Sequence, residues 1–184
     1  MKRMNSWRAS FRRRALGCLA AALLLAAVSC APAKRPDRVY TMGERAEAGK
    51  IVYGVLEASW RRQLGEAEHP RLPQKEFLLV RLSITNGGAA EASVPPATLV
   101  AASGAEYPEL TDGAGVEEWL GILRHLKPEE TQFGWILFDA PRGDYQLRVT
   151  DDAFDPAEAA VALIQIPLKM ESRTDALPEP RPSR

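Results

Sequence analysis

The stretch Glu76-Phe77-Leu78-Leu79-Val80-Arg81-Leu82-Ser83-Ile84-Thr85 decides how the chain is to be read. Side chains of an extended segment alternate between two faces. Leu78, Val80, Leu82 and Ile84 fall on one face, and Arg81, Ser83 and Thr85 on the other. Phe77 and Leu79 make the first half apolar on both sides, so the pattern predicts a strand with one end deeply buried. Asn86-Gly87-Gly88 follows, residues that tolerate positive φ and predict a turn.

Working outward, Tyr145, Leu147 and Val149 alternate with Gln146, Arg148 and Thr150 as in a half-buried strand. Thr131 to Asp139 is apolar on both faces through Phe133, Trp135, Ile136, Leu137 and Phe138, which predicts a central strand. Ile51 to Trp60, Ala97 to Ala102 and Val161 to Ile166 are further strands, each bounded by glycine, proline or charge. About seven short extended segments separated by turn residues point to an all-β, antiparallel sandwich rather than to βαβ units. One helical patch interrupts them. Val116, Trp119, Leu120 and Leu123 repeat at i, i+3, i+4 and i+7, with Asp112 as an upstream cap and Pro128 as a stop, which predicts a short crossover helix.

Three of these segments carry a family resemblance: Ile51-Val52-Tyr53-Gly54-Val55-Leu56, the long strand Phe77 to Thr85 ending in Asn86, and Leu126-Lys127-Pro128-Glu129-Glu130-Thr131 leading into Gly134 to Asp139. Over roughly Arg38 to Lys169 the chain resembles the bacterial telokin-like extracellular domain of unknown function. That is an immunoglobulin-like β-sandwich shared with a secreted immunoprotective antigen. The resemblance implies fold and location, and carries no catalytic residues across. The patch around Trp119 matches no motif of that family. Gly143-Asp144-Tyr145-Gln146-Leu147 is similar to the tyrosine corner of immunoglobulin sandwiches, with Leu147 where a disulfide cysteine would stand. This spacing predicts that the Tyr145 hydroxyl bonds a nearby upstream backbone group.

The first 29 residues read as a leader. Six basic and no acidic residues occupy Met1 to Arg14, an apolar run extends from Ala15 to Val28, and Ser29-Cys30 follows. This order of charged, apolar and small residues describes a secretory signal. Ala27-Val28-Ser29-Cys30 resembles a bacterial lipobox, which implies cleavage before Cys30 and a lipid-modified cysteine as the new N-terminus. Cys18 sits within the apolar run as a passenger. A retained transmembrane helix needs roughly 20 apolar residues, and this run is shorter. Arg12-Arg13-Arg14 lacks the apolar step of a twin-arginine signal, so ordinary secretion is expected. Ala31 is not the aspartate of an inner-membrane retention signal, which points to an outer membrane where the cell has two. Residues 30–38 then form a lipidated tether, 39–170 the sandwich, and 171–184, with Pro178, Pro180 and Pro182, a disordered tail.

Removing the leader takes away six of 24 basic residues and leaves 18 against 24 acidic ones, a net charge of −6. That balance lacks the basic footprint of a nucleic-acid binder. It also disfavours adhesion to anionic headgroups, so membrane attachment falls to the acyl chains at Cys30. With Cys18 cleaved and Cys30 lipidated, no cysteine remains for a disulfide, and packing alone must hold the domain. A domain of this size can bury roughly two thirds of its chain surface in one core.

Catalysis needs a positioned base near an activated nucleophile, and the only histidines are His69 and His125. His69 lies in a proline-bearing connection, and His125 is expected at the end of the helical patch, where its charge would suit the helix dipole. Ser59, Ser83, Ser93 and Ser103 have no Gly-x-Ser-x-Gly setting. The sequence therefore argues against a hydrolytic enzyme and names no catalytic residue or cofactor. Neither histidine has a neighbour at transition-metal spacing. Gly113-Ala114-Gly115 has neither the preceding strand nor the following basic residue of a phosphate loop. Glu106, Glu109, Asp112, Glu117 and Glu118 crowd one connection, and Asp151, Asp152 and Asp155 another; calcium is the alternative they raise, without an EF-hand pattern.

Surface recognition remains, and sandwiches serve it by presenting loops on a rigid frame. The long connections Glu57 to Lys75, with Trp60, Arg61 and Arg62, and Tyr107 to Leu126, with Trp119, are the places to look. Both tryptophans are read first as anchors to the core. The sequence thus predicts a lipid-anchored, extracytoplasmic interaction module with an envelope protein as partner and no nucleic acid. A small-ligand binder would differ in requiring an apolar pocket.

Overall fold

The structure, a computed structural model, describes residues 38–155 and 157–168. The leader, Cys30, the tether up to residue 37 and the tail 171–184 lie outside the described residues.

Among the described residues there are eleven strands: β1 (Val39–Tyr40), β2 (Ala46–Ala48), β3 (Ile51–Arg61), β4 (Glu76–Asn86), β5 (Ala92–Val94), β6 (Thr98–Ala101), β7 (Glu106–Pro108), β8 (Arg124–Leu126), β9 (Thr131–Ala140), β10 (Tyr145–Thr150) and β11 (Val161–Ile166). A five-stranded sheet runs β1-β11-β10-β6-β7, a four-stranded sheet runs β2-β3-β4-β9, and β5 pairs with β8 alone. All pairings are antiparallel except β1 with β11. The six strands read from alternation are all present, and the five added ones have two to three residues each.

The core lies between the two large sheets. β4 contributes Leu78, Val80, Leu82 and Ile84 to it, β9 contributes Ile136 and Phe138, and β10 and β11 contribute Leu147, Val149 and Ile164. In β3 a bulge between Val55 and Glu57 leaves Leu56 exposed and shifts the alternation, so that Ile51, Tyr53 and Val55 are buried before it and Ala58 after it. The Tyr53 hydroxyl donates to the Thr150 carbonyl at 2.7 Å, tying one sheet to the other.

Three expectations are corrected. Among the described residues there is no helix, and Val116 to Leu123 is irregular, with one turn at Glu117-Glu118, a bridge from Trp119 to Trp135 and a bend at Ile122. Gly115 and Gly121 have φ of 81° and 72° and Glu118 has φ of 51°, values no right-handed helix contains. Second, β9 is the last named strand of its sheet rather than a central one. Its backbone is nonetheless partnered on the outer side: Leu110 N–H donates to Leu137 O, Leu120 N–H to Trp135 O, and Trp135 N–H to Glu118 O. The segment expected as a helix thus covers a sheet edge that would otherwise offer unpaired groups. Third, neither Asn86 nor the glycines after it adopt positive φ. Asn86 is fully buried; its amide donates to Ala90 O (2.8 Å) and Leu126 O (3.0 Å), and its side-chain oxygen accepts from Gly88 N–H (2.9 Å). Gly88 lies close to its neighbours: a Cβ there would stand 2.8 Å from the Lys50 side chain, which would have to shift.

Candidate functional site

Two long connections fold down onto the outer face of the four-stranded sheet. The first, from Arg62 to Lys75, pinches itself closed through reciprocal bonds between Leu64 and Arg71 at 3.0 and 2.8 Å. Its end is fixed by the Asp139 carboxylate, which accepts the N–H groups of Gln74 (2.6 Å) and Lys75 (2.8 Å). The second runs from Glu109 to Leu123. Arg71 joins the two: its guanidinium lies 5.3 Å from the centre of the Phe77 ring and donates to the carbonyls of Asp112 (2.9 Å) and Ala114 (3.2 Å). Trp119 rests on Gly113, where a Cβ would lie 2.0 Å from the indole ring.

Under this cover sits a second apolar cluster of Leu64, Phe77, Leu79 and Leu137, extended by Leu110, Val116 and Trp135. It accounts for the two-sided apolar start of β4. Between the connections an open groove of about 350 Å³ remains. Glu57, Ser59 and Arg61 of β3 form one wall, Val116 and Glu117 the other, and Leu79 and Trp135 the floor. The structure therefore brings together the two connections singled out by sequence, but with other side chains at the centre. Trp60 packs against the core with its ring 6.2 Å from that of Tyr145. Trp119 is half-buried as an anchor of the second connection, beside Trp135. Trp135, read from sequence only as part of an apolar strand, is the tryptophan that lines the groove. Its alternation with Leu137 and Phe133 on one face of β9 was the available signal.

The acidic residues do not converge. Arg148 donates to both Glu106 oxygens at 2.7 and 2.8 Å and holds that carboxyl below the ordinary glutamate range. Asp112 meets Arg71 at 3.6 Å, and Glu118 meets Arg81 at 3.0 Å. Glu109 is buried against Arg124, with the Ala97 N–H on its second oxygen at 3.0 Å. Burial pushes the Glu109 carboxyl up, and the Arg124 charge and the hydrogen bonds from Arg124 and Ala97 act against that push. Asp151 accepts the Ala160 N–H (3.0 Å), Asp152 pairs with Lys50 (3.0 Å), and Asp155 accepts the Ala157 N–H (2.8 Å). Among the described residues no group of three or more His, Cys, Asp and Glu could hold a metal ion. The Glu109–Arg124 pair, 15 positions apart, had no signal in local spacing.

His125 belongs to β8 and is exposed there, not at a helix end. Ser93 Oγ lies 3.1 Å from its Nδ1 and Glu91 Oε1 lies 3.8 Å from the same nitrogen. A proton relay needs the nucleophile on one ring nitrogen and the orienting carboxylate on the other. With both on Nδ1, this trio cannot work as one. His69 is exposed in the first connection. At the opposite side of the core the Tyr145 hydroxyl donates to Pro141 O at 2.5 Å, as the tyrosine-corner spacing predicts, and Tyr107 meets its ring edge-on at 5.7 Å.

A family model described as "Domain of unknown function (DUF4352)" matches residues 40–159, and the chain belongs to that family. Among solved structures, the yjhA protein from Bacillus subtilis is similar at 12% identity and a TM-score of 0.54, over 69% of this chain and 98% of that one. A functionally unknown protein from Listeria monocytogenes is similar at 12% identity and a TM-score of 0.51, over 68% and 82%. The secreted protein MPT63 from Mycobacterium tuberculosis aligns at 13% identity and a TM-score of 0.41, over 71% and 97%. No curated protein matches the chain. The first two likenesses show the β-sandwich fold.

Proposed function

We propose that this member of the DUF4352 family is a non-catalytic interaction module of the bacterial cell envelope, secreted and held to a membrane by lipid at Cys30. The observation that carries the recognition role is the groove on the outer face of the four-stranded sheet. Sheets of a sandwich bury one face in the common core. Here the other face is also built, with two long connections pinned by backbone bonds and by Arg71 so as to leave a walled opening. Loops held rigidly on a frame are the usual carriers of binding. The location rests on the leader and on Ser29-Cys30.

In-cell crosslinking and affinity purification of the wild type beside Cys30→Ala, with palmitate labelling of both, tests the proposal. Label lost in the variant, with one envelope protein recovered near stoichiometrically from wild type alone, is the expected result. Label in neither overturns the lipid anchor. Label without any crosslinked protein overturns the interaction role.

A further inference from the structure

The groove has an electrostatic character that names a class of occupant, and this step rests on the interaction-module reading above. Residues 38–168 carry 12 Lys and Arg against 20 Asp and Glu, so the domain has a net charge of −8. Many of those carboxylates are tied up in pairs. Arg81, cross-strand to both Glu57 and Trp135, gives its charge to Glu118 at 3.0 Å and lies 6.0 Å from the Trp135 ring. Glu57 and Glu117 face the groove from its two walls, are exposed, and meet no ion-pair or hydrogen-bond partner among the described residues. Between them lies the Trp135 indole, and beyond it the apolar surface of Leu79 and Val116. With Arg81 spent on Glu118 and on the ring, the two unpaired carboxylates favour a cation by charge.

The shape selects the form of that cation. Glu57, Ser59 and Arg61 follow one another along the same face of β3, so the wall is about 13 Å long at about 3.4 Å per residue. The groove is open rather than enclosed, and Ser59 and Gln63 supply hydrogen-bonding groups along it. We infer that the groove takes an extended segment of a partner protein, with a lysine or arginine side chain between Glu57 and Glu117, beside the Trp135 ring that Arg81 already meets. Arg61 closes the other end, where the segment's carbonyls or an acidic side chain would lie.

Random heptapeptides displayed on phage, selected on the full-length chain in detergent micelles, test this. The enriched peptides are then synthesised with a fluorophore and titrated by anisotropy. The expected consensus contains Lys or Arg, the Kd weakens at least tenfold in Glu57→Gln/Glu117→Gln, and it weakens again as salt is raised. The double variant keeps the wild-type Tm, since neither carboxylate supports the fold, which separates lost binding from unfolding. No enrichment, a consensus without a basic residue, or an unchanged Kd in the double variant overturns the inference. Crosslinking that recovers an envelope partner while any of these holds leaves the interaction module standing and removes only this site.

Discussion

The two faces of β4 compare a core that strand pattern builds with one that loops build. Leu78, Val80, Leu82 and Ile84 look into the space between the sheets, where side chains from β3, β9, β10 and β11 enclose them. Phe77 and Leu79 look the other way and are buried too, Leu79 less completely, but under two connections rather than a second sheet. Alternation secures the first face, because any antiparallel partner with an apolar inner row will complete it. The second face depends on particular bonds: Arg71 to two carbonyls, Asp139 to two N–H groups, and the edge of β9 to Glu118 and Leu120. Inner-face damage should therefore unfold the domain, and outer-face damage should loosen the groove while the sandwich persists.

Phe138→Ala cuts a fully buried ring out of the inner core and should cost about 4 kcal/mol, with the whole denaturation curve shifted. Its counterpart Phe77→Ala sharpens the comparison: hydrogen exchange should rise first in residues 62–75 and 109–120. Exchange rising uniformly through both sheets would mean that the two cores are one cooperative unit.

Next in size is Arg124→Ala, expected to cost about 3 kcal/mol at neutral pH because it leaves Glu109 buried without a counter-charge. Only the Ala97 N–H then opposes burial at that carboxyl, so its native pKa stands further above its unfolded one. A native state that binds more protons than the unfolded state loses stability as pH rises through that window. The deficit should therefore be full at neutral pH and shrink as pH falls and Glu109 takes up a proton. Urea melts at a series of pH values check this. Glu109→Met/Arg124→Leu, which removes both charges, should recover much of the loss.

Gly113→Ala drives a methyl into the Trp119 ring and should cost about 2 kcal/mol through overpacking. The specific readout is proteolysis within residues 109–123 under conditions where the sheets resist. Smallest is Tyr145→Phe, which removes one hydrogen bond to Pro141 O and should lower stability by about 1 kcal/mol in a thermal melt. Stability equal to the parent would show that the tyrosine corner contributes nothing here.

Much of the frame was legible because it is local. Tyr145 to Thr150 and Val161 to Ile166 coincide with strands β10 and β11, and Glu76 to Thr85 falls one residue short of β4. The two-sided apolar start of β4 also marked where a second cover would be needed. The short strands were not legible, since two or three residues show no period; β5 and β8 exist only because each finds the other across more than 30 positions. The groove was half legible: the length and residue types of its connections mark them in the sequence, whereas the tryptophan at its floor looks there like ordinary strand content.

The segment Val116 to Leu123 shows where the division lies. Its apolar spacing asks only that several side chains be covered, and a helix is the local way to do that. Gly113, Gly115 and Gly121 weaken that solution by about 1 kcal/mol each relative to alanine. The open edge of β9 offers the backbone of this segment hydrogen bonds that no local turn can match. Composition and alternation thus determined by themselves an all-β domain. The tertiary structure decided which connections meet, which carboxylates are spent on arginines, and that Glu57 and Glu117 line the groove without such a partner. Those outcomes depend on partners distant in the chain, and strand alternation says which face a residue takes but not who waits on it.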